Sequence, residues 1–150
     1  MFIQYQKTSN DVVIPTRAHP SDIGLDLSVT SFVKKITDTT SLFDTGLIVK
    51  PPDGYYIEIV GRSSISKSCW MVANSIGVID PNYRDSLKVA LEYKNNRNVD
   101  MLTEINNMEF PYKCCQIILR KAEYAEMVET DFSIDTDRGL GCFGSTDNKK

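Results

Sequence analysis

Apolar and polar residues alternate with a period of two in many short pieces of this chain, and no other property narrows its possible folds as much. The pieces are Phe2–Tyr5, Leu25–Val29, Leu42-Phe43 running into Leu47–Val49, Tyr55–Val60, Leu87–Tyr93 and Gln116–Leu119. Successive side chains of a strand point to opposite faces, so such alternation marks a strand with one face buried. Val, Ile, Tyr and Phe are frequent in these pieces. Gly or Pro separates them at Pro15, Pro20, Gly24, Gly46, Pro51-Pro52, Gly54, Gly61, Gly77, Pro81 and Pro111. Strands recurring about every ten residues, without a sustained helical period, predict an all-β sandwich, jelly roll or barrel rather than a βαβ sheet. Only Ser64–Cys69 and the Asn-rich Val99–Met108 leave room for a short helical turn.

A length of 150 residues with 41% hydrophobic content suits one domain. A domain of this size buries roughly 70% of the surface its unfolded chain exposes, so it needs neither disulfide nor structural metal to fold. The formal charge is −3 and basic residues form no block, which argues against direct nucleic-acid binding and against an acidic membrane surface. Apolar stretches such as Ile76–Ile79 and Cys114–Leu119 fall far short of the roughly 20 residues a membrane helix needs. The N-terminus MFIQYQKTSND lacks the basic-then-apolar order of a secretory signal, so the chain reads as soluble and intracellular, cytoplasmic or nuclear. Cys69, Cys114, Cys115 and Cys142 show no CxxC spacing and read as reduced thiols. His19 is the only histidine, which excludes a two-histidine zinc site, and no GxSxG elbow accompanies it.

Four segments carry groups suited to chemistry. The segment from Asp135 to Asp147 combines Arg138, three glycines (Gly139, Gly141, Gly144), the hydroxyls of Ser145 and Thr146, and the aromatic Phe143. A forked cation with closely approaching N–H groups and hydroxyls can cradle phosphate. The segment has too little apolar area to offset its ordering entropy, so it is either idle or it orders on a ligand. Gly61-Arg62-Ser63-Ser64 places a bend, a cation and two hydroxyls at a strand end, either as an anion seat or as a simple helix cap. In Ile76-Gly77-Val78-Ile79-Asp80-Pro81-Asn82-Tyr83-Arg84 a carboxylate ends an apolar strand, and Asp80 is either a general base or a turn-starting Asp before Pro. Asp26, between Leu25 and Leu27, is an acid in a strand facing solvent or a cation.

Read in order, the chain contains AHPSDIGLDL, GRSSISKS, ANSIGVIDPNYR, KCCQIIL and RGLGCFGSTD. This series resembles the five motifs of the trimeric dUTPase family, in sequence and suitably spaced, from about Asp22 to Asp147. The resemblance implies an all-β, jelly-roll-like distorted β-barrel with a flexible C-terminal arm, assembled as a homotrimer with active sites shared between subunits. It divides the chain into a barrel over 1–136 and a glycine-rich arm over 137–150 that closes a neighbouring site. The implied reaction is hydrolysis of dUTP to dUMP and pyrophosphate with Mg2+. Asp26 would hold the magnesium through its water shell. Arg62, Ser63 and Ser64 would contact the phosphate chain, and Gln116 would hold phosphate oxygens. Asn74 and the backbone of Gly77, Val78 and Ile79 would receive the uracil edge, and Tyr83 would lie under the deoxyribose. Asp80 would orient and deprotonate the attacking water. Arg138, Ser145 and Thr146 would clasp the γ phosphate, with Gly144 among the substrate-binding positions, and Phe143 would cover the uracil.

Several positions depart from the family pattern. Asp85 stands where a glycine usually follows Tyr-Arg, Pro111-Tyr112-Lys113 replaces Gly-Asp-Arg, Cys142 interrupts the last glycine pair, and Asp147 replaces a final glycine. Asp85 is expected to add negative charge near the phosphates. The loop from Asn95 to Phe110 is longer than usual. The competing readings are a deaminase of dCTP with the same architecture and a catalytically silent homologue that binds nucleotide. Neither is favoured by the RGxGxFGST and GVIDxxYR blocks.

Overall fold

The computed structural model describes residues 1–94, 98–133 and 135–136, and over these the regular secondary structure is almost all β, as the alternation predicts. The strands are β1 (Gln4–Lys7), β2 (Leu25–Val29), β3 (Ser31–Lys35), β4 (Thr40–Asp44), β5 (Leu47–Lys50), β6 (Tyr55–Gly61), β7 (Trp70–Val72), β8 (Ile76–Ile79), β9 (Lys88–Tyr93) and β10 (Tyr112–Lys121). Two short helical pieces interrupt them, a 3-10 turn at Ser63–Lys67 and α1 at Met101–Asn106. Both fall in the segments that the sequence leaves open for a turn. Strands β3 and β7 had no alternating signature: every residue of β3 is exposed, and β7 has only three residues.

The strands form a two-stranded ribbon β1-β5 and two four-stranded sheets, β2-β10-β6-β8 and β3-β4-β9-β7, and every ladder is antiparallel. One face of each larger sheet supplies the core. From the first come Leu27, Val29, Ile57, Ile59, Cys115 and Ile117, and from the second Phe43, Val72, Val89, Leu91 and Tyr93, all in one buried cluster. The Phe43 ring lies edge-on to Trp70 at 5.9 Å, and Trp70 in turn packs on Tyr93 at 5.3 Å. Within the long loop before β10, Asp100 caps α1 by accepting the Thr103 N–H at 3.0 Å. That helix buries Met101 and Ile105, four residues apart on one face. No disulfide joins Cys69, Cys114 and Cys115, which are all buried, and among the described residues no helix is long and apolar enough to cross a membrane.

Beyond β10, residues 122–133 run without regular secondary structure. Their large apolar side chains Tyr124, Met127, Val128 and Phe132 are each at least three-quarters exposed.

Candidate active site

Strands β2 and β10 build one end of the site through a bulge. Gln116 lies opposite Asp26 and Cys115 opposite Leu27, but Lys113 lies opposite Ser28, so Cys114 is an extra residue in the ladder. Strict alternation would put Lys113 on the core face with Cys115. The bulge moves it to the outer face with Asp26 and Gln116 and lets two consecutive cysteines be buried. The Cys115 thiol is pushed well above the usual thiol range by its hydrogen bond with Cys114 and by burial. It is therefore a neutral packing group.

The bulged strand also anchors Arg62. Its backbone N–H donates to the Cys114 carbonyl at 3.1 Å, at the end of β6, where the 3-10 turn starts with Ile65 N–H donating to the Arg62 carbonyl at 3.0 Å. From there the guanidinium reaches Asp26, with Nε donating to Oδ1 at 2.7 Å and Nη1 donating to Ser64 Oγ at 3.1 Å. Lys113 Nζ lies 3.3 Å from the other Asp26 oxygen. The Asp26 side chain, 18% exposed, thus faces two cations, which decides between the two orientations left open by the sequence. Asp26, Arg62, Ser63 and Gln116 line a cleft of about 410 Å³ with Asp22 and Gly24. Any side chain at Gly24 would displace the Gln116 amide. A Cβ at that position would sit 2.1 Å from Gln116 Oε1.

The second end is a pair of tight turns flanking β8. The chain leaves β7 through Ala73–Ser75, and Ser75 adopts a left-handed φ of 59° that turns it into the other sheet. The Asn74 amide lies over Gly77, where a Cβ would be 3.5 Å from Asn74 Nδ2. Strand β8 is an edge strand, so the backbone groups of Gly77, Val78 and Ile79 that point away from β6 take no part in the ladder. At the end of β8, Asp80-Pro81-Asn82-Tyr83 closes a turn in which the Tyr83 N–H donates to the Asp80 carbonyl at 3.0 Å, with proline at the second position. Arg84 folds back and donates to the Pro81 and Tyr83 carbonyls, each at 2.7 Å. The Asp80 side chain is exposed, and Tyr83 is partly so.

Within one chain these two ends stay apart. Val60 pairs with Ile76 and Ile57 with Ile79, so Asp80 lies beyond one end of the ladder and Arg62 beyond the other. At roughly 3.3 Å per residue, the two are separated by about 20 Å along the strands. The fold thus brings Asp26, Arg62, Ser63, Ser64 and Gln116 together in one group and Asn74, Gly77, Val78, Ile79, Asp80 and Tyr83 in another. Arg138, Phe143, Gly144, Ser145 and Thr146 lie outside the described residues, as do Cys142 and Asp147. Lys113 and Gly24 join the first group as residues whose roles no sequence pattern marked. The adjacent cysteines were the available sign of a bulge, since two consecutive buried residues break a strand's alternation. The charge expected from Asp85 is offset: its carboxylate accepts from Lys88 Nζ at 3.0 Å, and that pairing, with the Ser86 N–H, holds its pKa below the ordinary value.

Magnesium prefers oxygen ligands and retains much of its water. The side-chain oxygens in the cleft are those of Asp22, Asp26, Ser63 and Gln116, and among the described residues no cluster of three acidic, histidine or cysteine side chains forms a closed metal cage. This donor set fits a hydrated ion held chiefly by a substrate's own phosphates.

The family model described as dUTPase matches residues 10–147. The deoxyuridine 5'-triphosphate nucleotidohydrolase of Thermobifida fusca (strain YX) is 31% identical over 145 residues, covering 96% of this chain and 78% of that protein. That of Arabidopsis thaliana is 33% identical over 147 residues, covering 97% and 82%. Among solved structures, the G164S mutant of the Staphylococcus bacteriophage 80alpha dUTPase with dUpNHpp superposes with a TM-score of 0.75 at 18% identity, covering 97% of this chain and 98% of that one. The dUTPase of phage phi11 of S. aureus, solved to visualise its species-specific insert, gives a TM-score of 0.68 at 16% identity, covering 89% and 98%. With a family model spanning nearly the whole chain and relatives above 30% identity along its length, the chain belongs to the dUTPase family.

Proposed function

We propose that this chain hydrolyses dUTP to dUMP and pyrophosphate in a site completed only where copies of it meet. The observation that carries this reading is the separation of about 20 Å, measured along the β6–β8 ladder, between Asp80 and the phosphate-binding group. A triphosphate held by Arg62 therefore meets an Asp80 from a second copy. The exposed apolar side chains of residues 122–133 support the same assembly, because such a run is stabilised by burial against another surface. The assembly is a homotrimer of jelly-roll-like barrels. Residues 1–136 form the barrel, and residues 137–150 form an arm that closes a neighbouring site through Arg138, Phe143, Gly144, Ser145 and Thr146.

The chemistry follows from the groups present. Attack at the α phosphorus needs a water in line with the leaving pyrophosphate, a base that shares its proton, and cations that stabilise the developing charge. Asp80, at the mouth of a braced turn, orients and deprotonates that water. Arg62 and Ser64 bind phosphate oxygens, Ser63 lies at the oxygen bridging the α and β phosphates, and Gln116 donates its amide N–H to phosphate. Asp26 holds the guanidinium of Arg62 in place and would hold Mg2+ through its water shell. Bound there, that ion would neutralise phosphate charge and orient the chain of phosphates. Asn74 and the outer backbone edge of Gly77, Val78 and Ile79 read the uracil. The Tyr83 ring fills the space a 2′-hydroxyl would need.

Release of pyrophosphate across a nucleotide panel tests the reading. Turnover of dUTP with little of UTP or dCTP is the expected result, while ammonia from dCTP, or no product from any nucleotide, would overturn it. Sedimentation at about three times the 16.9 kDa chain mass supports the shared site, and a monomer active at all dilutions would remove it.

A further inference from the structure

Between Tyr83 and β9 lies a polar cluster that the mechanism above does not use. Ser86, 3% exposed, has all of its polar groups engaged. Its N–H donates to Asp85 Oδ1 at 2.7 Å, its Oγ donates to Asp44 Oδ2 at 3.0 Å, and its carbonyl accepts from the Tyr83 hydroxyl at 3.1 Å. Lys88 Nζ ties the cluster together, donating to Asp85 Oδ2 at 3.0 Å, to the Ser86 carbonyl at 3.2 Å and to Ser86 Oγ at 2.9 Å, with Asp44 Oδ2 at 3.7 Å. Asp44 is itself fixed, since its Oδ1 accepts the N–H of Gly46 at 2.7 Å. The only side chain in this cluster that leads toward the nucleoside end is Tyr83, through its hydroxyl.

We propose that Asp85 and Lys88 are positioning residues for sugar selection, clamping Ser86, whose carbonyl accepts from the Tyr83 hydroxyl and holds the ring in place. The inference rests on the reading of Tyr83 as the platform beneath the deoxyribose. A phenol ring excludes one hydroxyl group only if it cannot tilt, and a partly exposed tyrosine tethered at its Cα alone can. Here the far end of the ring is pinned to the carbonyl of Ser86, a residue held by Lys88 at that carbonyl and at its hydroxyl, by Asp85 at its N–H and by Asp44 at its hydroxyl. Burial opposes the charge on Lys88, but Asp85 and Asp44 together outweigh it and raise its pKa above the ordinary lysine value. The ammonium is therefore a permanent member of the clamp at neutral pH. Asp85 occupies a position where the family pattern has glycine, so the clamp adds a side-chain carboxylate that a glycine there would lack.

The test compares kcat/KM for dUTP with that for UTP in Asp85→Gly, Lys88→Met, the double variant and Tyr83→Ala. The Asp85 side chain is 71% exposed, so Asp85→Gly leaves the core unaltered. Each clamp variant is expected to lower the dUTP-over-UTP preference about threefold to tenfold, the size of one lost hydrogen bond. The change should appear in KM and leave kcat for dUTP near the parent value. The double variant should lose little more than the larger single one, since both act through Ser86. If Tyr83→Ala collapses the preference while Asp85→Gly and Lys88→Met keep it, the clamp is overturned and the Tyr83 reading stands. If Tyr83→Ala keeps the preference, the platform reading falls and the clamp falls with it.

Discussion

At the phosphate end, Asp26 lies between Arg62 and Lys113 across a bulged pair of strands, whereas the nucleoside end consists of two tight turns on an exposed edge strand. Under the proposed function the first end would take the phosphates and the second the nucleoside, and the contrast suits those two ligands. A highly charged triphosphate on a chain of net charge −3 must meet cations that are already in position, and a partly buried carboxylate holds them there at little cost in side-chain freedom. A uracil is neutral, and its edge would be read by backbone donors and acceptors, which a sheet edge presents without any charge. One end is therefore built from ion pairs and the other from main-chain geometry, and substitutions at the two should fail in different ways.

The largest effect should come from Asp80→Asn, which removes the base from the nucleoside end and leaves its turn intact. We expect kcat to fall by about a hundredfold to ten-thousandfold, with nucleotide binding retained in a calorimetric titration. Near-normal turnover would place the base elsewhere. Truncation before Arg138 comes next. If the phosphate end needs donors from the arm, single-turnover hydrolysis should drop about a hundredfold or more with an unchanged circular dichroism spectrum, and unaltered kinetics would mean that the cleft of Asp26 and Arg62 suffices by itself.

Gly24→Ala probes the phosphate end alone. Its new Cβ would displace the Gln116 amide, so kcat/KM for dUTP should fall about tenfold while the dUTP-over-UTP preference stays unchanged. A shift in sugar preference would show that the two ends are not separable in this way. The smallest effect concerns Asp85, whose carboxyl is held below its ordinary pKa, first by Lys88 and then by the Ser86 N–H. A carboxylate with a depressed folded-state pKa contributes stability above its unfolded value and loses it as pH falls through the folded one. The melting temperatures of the parent and Asp85→Asn should therefore differ slightly at neutral pH, with the gap narrowing below about pH 4 and closing only once the pH falls under the lowered folded-state pKa. A gap that persists in acid would mean that packing, not charge, holds the turn.

Much of this was legible in the residues. Alternation marked β2, β4, β6 and β9 to within a residue or two, because β4, β6 and β9 each have one buried and one partly buried face. Strand β3 was not legible. Its residues are all exposed, and its pairing with β4 rather than burial makes it a strand. Asp85 was expected to add negative charge near the phosphates, and Lys88, three residues on, pairs with that charge. Only a turn that brings the two side chains together could reveal that. The side to which Lys113 points was likewise hidden, since one unpaired residue at Cys114 reverses the parity of every position before it.

Local chemistry along the chain accounts for the all-β class, the proline turn after Asp80, the capped helix at Asp100 and the five motifs in order. Each of these depends on residues within a few positions of one another, so the linear order is enough to encode it. The bulge, the register that opposes Gln116 to Asp26, and the distance between Asp80 and Arg62 depend on which distant strands bury their apolar faces together. Such pairings are chosen by the core as a whole. It is this choice that places the two groups of candidate site residues at two ends of one chain.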